Sequence, residues 1–329
     1  MRRIIDMCAI FGFVNYGHAL SGRHLKELVN KLAVESEVRG TDATGIAYVK
    51  NGALKIYKKP RPAHKVRLYF PDDTTILTGH TRMTTQGNAK YNYNNHPFAG
   101  HTVDGDFALC HNGVLYNDDT LQKSEELPKT HIKTDSYVAT QLIEKYGKLN
   151  FDTIAKMCET VKGNFVFTLL NDDNTLYLAK GDNPLCLVHF KQLGLFLYTS
   201  TKAIMESVIT ETFLKIYAFE TIKVSEGEMI CIDKDGNLTK DTFVFDDYIG
   251  NLRYYGSYEE QIFHSDYLYE MCNLFGLTTD DISLLYEMGY CDEEIELMLE
   301  DREYLQVCLE DARSFYGDHL MEESYGVQV

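Results

Sequence analysis

Cys8-Ala9-Ile10-Phe11-Gly12-Phe13-Val14 is the stretch on which the fold turns. It is an apolar run of strand length, which predicts a buried strand near the N-terminus. Outward from it, Leu25, Leu28, Val29 and Leu32 recur at helical spacing, so residues 22–37 are predicted as a helix. Ile46-Ala47-Tyr48-Val49-Lys50 and Ala53-Leu54-Lys55-Ile56-Tyr57 flank Asn51-Gly52, a hairpin signal. Asp172-Asp173-Asn174 and Asp235-Gly236 mark further turns. Pro184 to Ser200 reads as two strands around Lys191-Gln192, and helices are predicted from Asp135 to Tyr146 and from Phe151 to Val161. Strand-rich halves with inserted helices predict two sheets packed face to face and flanked by helices.

The 329 residues carry 49 acidic and 32 basic side chains, a net charge of −17. The charge is unevenly placed. From Asn251 to Val329 there are 19 Asp or Glu against three Arg and no Lys, a net of −16. Residues 1–250 are nearly neutral. Neither part offers the basic face that nucleic-acid binding requires, so no nucleic-acid partner is expected. No apolar run approaches the roughly 18 residues of a membrane helix, and no membrane association is expected. The acidic segment itself has helical spacing: Ile295, Met298, Leu299, Arg302, Leu305, Leu309 and Ala312 line one long helix with Asp292 as N-cap, after a shorter helix from Asp280 to Met288. The eight cysteines include no CxxC pair. In a long chain without a secretory signal they are expected as reduced thiols, which places the protein in the cytoplasm.

Five clusters in the body carry chemistry. Cys8 is a nucleophile that needs a nearby base, and its own α-amine would serve if Cys8 were the first residue. Arg39-Gly40-Thr41-Asp42 leads to Gly45. Arg82, within Gly79 to Gly87, has a planar fork able to hold a carboxylate. Asn112-Gly113 pairs a side-chain amide with a backbone N–H, the donor set of an oxyanion hole. Asp135 follows Thr134 and precedes a helix, so it either caps that helix or binds an ammonium group. Alone, each also reads as a core residue, a turn, a surface ion pair or a cap.

Together, and in this order, Cys8-Ala9-Ile10-Phe11-Gly12, Arg39 to Gly45, Gly79 to Gly87, Asn95-His96-Pro97, His111-Asn112-Gly113 and Thr134-Asp135 resemble the class II glutamine amidotransferases, which are N-terminal nucleophile hydrolases. The resemblance runs from about residue 8 to residue 235 and is nearest to the glutaminase domains of glucosamine-6-phosphate synthase and amidophosphoribosyltransferase. It implies an α+β fold, the four-layer αββα sandwich of that family. It also implies hydrolysis of L-glutamine to glutamate and ammonia through a γ-glutamyl thioester on Cys8. By the same resemblance Asn112 and Gly113 hold the oxyanion, Arg82 the α-carboxylate and Asp135 the α-ammonium. Thr85 and Gln86 line the pocket, and Arg39 orders the loop beside the nucleophile. No cofactor and no metal are implied. Met83 stands where many relatives have Trp, and Gln86 where some have His.

Three parts are therefore expected: residues 1–7 as a leader or an alternative start before Cys8, the catalytic domain at 8–250, and an acidic helical C-terminal segment at 251–329. About 80 residues after the body are too few for a sugar isomerase or phosphoribosyl domain, and no phosphate-binding loop pattern is present. The ammonia acceptor is expected to be a separate synthase protein, docking on the acidic tail. Two alternatives are a non-catalytic interaction module of the same fold and a free-standing amidase acting on another linear amide.

Overall fold

The computed structural model describes residues 8–245, then Cys272, residues 276–287, Ile295, Met298, Leu299, residues 305–310 and Arg313. The chain divides into two compact units, 1–248 and 249–329.

In the first unit the opening apolar run becomes β1 (Ala9–Asn15). The strands that follow are β2 (Ala43–Lys50), β3 (Ala53–Lys59), β4 (Ile76–Arg82), β5 (Phe98–Thr102), β6 (Gly105–Leu115), β7 (Gly163–Asn171), β8 (Leu176–Lys180), β9 (Cys186–Phe190), β10 (Leu195–Thr199), β11 (Glu220–Ile222), β12 (Glu228–Ile232) and β13 (Leu238–Thr242). One sheet has seven strands in the order β11-β9-β10-β1-β4-β2-β3, the other six in the order β13-β12-β8-β7-β6-β5. Their ladders are antiparallel throughout. The helices are α1 (Gly22–Glu35), α2 (Asp118–Ser124), α3 (Tyr137–Tyr146), α4 (Phe151–Thr160) and α5 (Lys202–Glu211).

Three apolar layers separate four structural ones. Buried side chains of α1 and α5 join Phe11, Phe13 and Leu77 of the first sheet in one cluster. Those of α2, α3 and α4 join Phe107, Leu109 and Phe167 of the second sheet in another. Ile10, Val14, Ala108, Cys110, Val166 and Leu178 fill the space between the sheets. The unit is thus an αββα sandwich. β1 alternates as a central strand must, its odd positions toward the helices and its even ones toward the other sheet. At Gly12 a Cβ would lie 2.2 Å from Leu77 O and 2.5 Å from the Tyr198 hydroxyl. The missing side chain admits Tyr198, whose OH donates to Thr78 Oγ1 at 2.8 Å, and Thr78 meets Thr168 of the opposite sheet at 2.8 Å.

Three local expectations are refined. The hairpin forms as read, with Asn51 and Gly52 at φ +54° and +69°. The first helix ends at Glu35, and Ser36–Val38 tighten into a 3₁₀ turn. Val38 is exposed, so nothing there rewards a further α-turn against the core. The helix predicted from Asp135 begins at Tyr137. Asp135 stays outside it because its carboxylate accepts the Leu115 N–H at 2.7 Å instead of capping α3.

In the second unit, Thr279–Glu287 is helical. Cys272, Leu277, Ile282, Leu285, Ile295, Met298, Leu299, Leu305, Cys308 and Leu309 form a buried cluster of their own. Asp281 caps Thr278 N–H at 3.0 Å and pairs with Arg313 at 2.5 Å. Asp292, Arg302 and Ala312 lie outside the described residues.

Candidate active site

The site is built at one end of the layer between the sheets. In the ladders Ala9 faces Thr81 and Ala43 faces Arg82, which brings Cys8, Asp42 and Arg82 to the same end of the first sheet. On the second sheet Asn112 continues the inward series Ala108, Cys110 along β6, as Cys8 continues Val14, Ile10 along β1.

Arg39 ties the two together. Its Nε donates to Cys8 O at 3.0 Å and one terminal nitrogen donates to Asn112 Oδ1 at 3.4 Å. Arginine can only donate, so the Asn112 amide must turn its oxygen to Arg39 and its nitrogen away. That nitrogen, Nδ2, is buried and has no hydrogen-bond partner among the described residues. Next to it, Gly113 sits at φ +147° with Asn164 O only 1.9 Å from where a Cβ would be, a position open to glycine alone.

Cys8 is half-buried, and its Sγ donates to Met83 O at 3.3 Å. Burial pushes the thiol up to about 11, against the opposing pull of the Arg82 and Arg39 guanidiniums. At neutral pH it therefore carries its proton and needs a base.

Arg82, at the end of β4 and 3% exposed, donates to Asn95 Oδ1 at 2.7 Å and to Gln86 O at 2.5 Å. A guanidinium has five N–H donors, so these two bonds leave others for a ligand. Asn95 is itself held. Its carbonyl, with that of Pro97, accepts from Lys58 Nζ at 2.5 and 3.0 Å. Burial pushes the Lys58 ammonium down to about 8. Asp42 caps the turn after Arg82 by accepting the Thr84 N–H at 2.8 Å. Asp135 is 5% exposed and bears electrostatically on both Cys8 and Arg82. Thr85 and Gln86 are exposed on the turn. The Gln86 side chain donates to Asp118 at 3.2 Å, and it is the Gln86 backbone carbonyl that meets Arg82. Gln86 and Thr134 border a cleft of about 460 Å³ that runs on to Asp118, Lys129, Lys133 and Gln141.

Behind Arg82, three buried histidines stay neutral. His80 donates from Nε2 to His111 O at 2.9 Å, and burial pushes it down to about 3. His96, its ring 4.2 Å from that of His80, is also driven down by burial, as is His111. Among the described residues, no cluster of three His, Cys, Asp or Glu side chains could hold a metal ion.

Residues 80–206 match the family described as a glutamine amidotransferase domain. This chain carries a class II glutamine amidotransferase domain. The domain is 32% identical over 248 residues to the glutamine–fructose-6-phosphate aminotransferase (isomerizing) of Staphylococcus epidermidis RP62A, a match covering 72% of this chain and 39% of that protein. The namesake of Staphylococcus aureus Mu50 is 29% identical over 249 residues, with 72% and 39% covered. The chain thus spans about two-fifths of the length of these curated relatives. Among solved structures, glutamine phosphoribosylpyrophosphate amidotransferase from B. subtilis, complexed with ADP and GMP, superposes with a TM-score of 0.56 at 20% identity, over 73% of this chain and 50% of that one. A structure described as the allosteric regulatory enzyme of purine biosynthesis gives 0.57 at 20% identity, again over 73% and 50%. These two likenesses show a shared fold.

Within this amidotransferase domain, direct bonds join Cys8, Arg39 and Asn112, and Arg82 and Asp135 stand beside them. Asp42 and Asn95 lay inside the quoted motifs without a role assigned. Lys58 and the carbonyl of Met83 had no signal in the sequence, because a lysine in a strand and a backbone oxygen look alike everywhere.

Proposed function

We propose that the domain hydrolyses L-glutamine, with Cys8 as the nucleophile. The observation that carries this is the unpartnered, buried Asn112 Nδ2, a donor kept free beside a cysteine. A buried donor without a partner costs about 1–3 kcal/mol. The cost has a purpose where an oxyanion will form.

In this reading the Cys8 thiol gives its proton to the Cys8 α-amine, and the thiolate attacks the glutamine side-chain carbonyl carbon. Asn112 Nδ2 and the Gly113 N–H receive the oxyanion. The α-ammonium returns the proton to the amide nitrogen, the C–N bond breaks, and ammonia leaves a γ-glutamyl thioester. Water, deprotonated by the same amine, attacks the thioester and releases glutamate. Arg82 holds the substrate α-carboxylate and Asp135 its α-ammonium, with Thr85 and Gln86 at the rim. Arg39 keeps the Cys8 carbonyl and Asn112 in register. The amine is available only when Cys8 is the first residue, so residues 1–7 are read as a leader removed, or as a start not used, in the active form.

The ammonia is read as passing to a separate synthase partner, with segment 251–329 and its charge of −16 as the docking surface. The staphylococcal relatives are named for an amino transfer between glutamine and fructose 6-phosphate. Cys8, Cys110, Cys158, Cys186 and Cys231 carry free thiols, which supports reading the compartment as a reducing one, the cytoplasm.

The test is glutamate and ammonia release from a chain beginning at Cys8. Equimolar products are expected, and none from Cys8→Ala. Turnover by Cys8→Ala, or none by the chain beginning at Cys8, refutes the assignment.

A further inference from the structure

We infer that Asn183 is a positioning residue of the oxyanion hole, acting through the peptide group between Asn112 and Gly113. The inference rests on the glutaminase reading above. Asn183 is 7% exposed, and its Nδ2 donates to Asn112 O at 2.8 Å. A trans peptide is planar, with its C=O and N–H pointing in opposite directions. Fixing the Asn112 carbonyl on Asn183 therefore aims the Gly113 N–H the opposite way. The side chain thus sets the direction of one of the two donors.

The turn that carries Asn183 is held firmly. Gly181 N–H donates to Phe165 O at 3.0 Å, Phe165 N–H donates to Asp182 Oδ1 at 3.2 Å, and Lys180 Nζ donates to Gly181 O at 3.0 Å. Phe165 is also the cross-strand partner of Gly113. In an antiparallel ladder one residue's N–H and C=O point to the same side. Those of Phe165 face the turn, so they do not claim the Gly113 N–H. Nor could another residue replace the glycine: at φ +147° its Cβ would lie 2.7 Å from Asn183 Nδ2. One anchored side chain and one glycine together hold the Asn112–Gly113 peptide in one orientation, with the Phe165 backbone turned away from its N–H.

The experiment uses the full chain begun at Cys8, with Asn183→Ala and Asn183→Asp compared to the parent. Aspartate keeps the size but, ionised, cannot donate. For both variants kcat for glutamine is expected to fall about 10- to 100-fold, short of or equal to the loss of a whole donor. KM should stay within about twofold, since the Arg82 and Asp135 contacts are untouched. Alkylation of Cys8 by iodoacetamide, which needs no oxyanion hole, should keep its rate. The inference is overturned if both variants retain kcat, if Asn183→Asp alone retains it, or if kcat and alkylation fall together. If the parent itself releases no glutamate, the glutaminase reading fails and this inference falls with it.

Discussion

Asn112 does two opposite things with one amide. Its oxygen is held by Arg39 and its nitrogen is left bare. Replacing it with alanine should lower kcat about 10²- to 10³-fold with a small change in KM, as steady-state glutaminase kinetics would record. The protonation of Cys8 gives a second prediction. With Met7 still attached the thiol sits at about 11, so iodoacetamide labelling should climb with pH toward that value. In a chain begun at Cys8, kcat/KM should instead rise as pH passes about 7.7–8.0 and the α-amine loses its proton, and a profile still rising toward 11 would contradict amine catalysis. At this scale the sequence was informative where motifs fell in order. Cys8, Arg82 and Asn112 each had a bland reading alone and stood out through the ordered motifs that carry the resemblance. Lys58 and Asn183 did not, since their importance lies in which carbonyl they reach, and only the folded chain brings those carbonyls near.

Elements set how well those residues are held. Lys58 on β3 grips the carbonyls of Asn95 and Pro97, and Asn95 grips Arg82. Lys58→Met keeps the stem and removes the donors. It should raise KM for glutamine roughly tenfold, equivalent to about 1.4 kcal/mol, with kcat changed far less. A fall in kcat alone would place Lys58 elsewhere in the cycle. The hairpin at Asn51-Gly52 was legible because that turn needs positive φ at both positions. The starts and stops of helices were less so. Asp135 before an apolar run reads as a cap, yet its carboxylate goes to Leu115, a partner 20 residues away. Periodicity reports the face a helix buries, not a side chain drawn off to another strand.

On the scale of the whole molecule, two face-to-face sheets flanked by helices were legible from strand-rich halves with inserted helices, while the four-layer αββα form came from the resemblance; β1 fits it by facing both cores at once. The pairing order, with β1 between β10 and β4, was not legible, since ladder partners are chosen by contacts nearly 190 residues apart. The charge division has a structural counterpart, for the acidic segment has a buried apolar cluster of its own. The histidines behind the site tie stability to pH. The unfolded chain takes a proton on His80 near pH 6.5, while the folded one refuses it down to about 3. Stability is therefore intact above about 6.5 and lost progressively as pH falls toward 3, with about 2 kcal/mol gone at pH 5 from His80 alone. Urea unfolding at pH 7 and pH 5 measures this, and His80→Asn should reduce the difference by about 2 kcal/mol; an equal loss in the variant would exclude His80 as a source. The claim that all of this machinery serves, a glutamyl group carried on Cys8, can be seen directly. A chain begun at Cys8 is mixed with glutamine, quenched in acid within the first turnover and read by peptide mass spectrometry. The prediction is a γ-glutamyl adduct on the Cys8 peptide, absent from Cys8→Ala and cleared by hydroxylamine as the hydroxamate. Glutamate release with Cys8 unmodified at every quench time and no hydroxamate formed would contradict it.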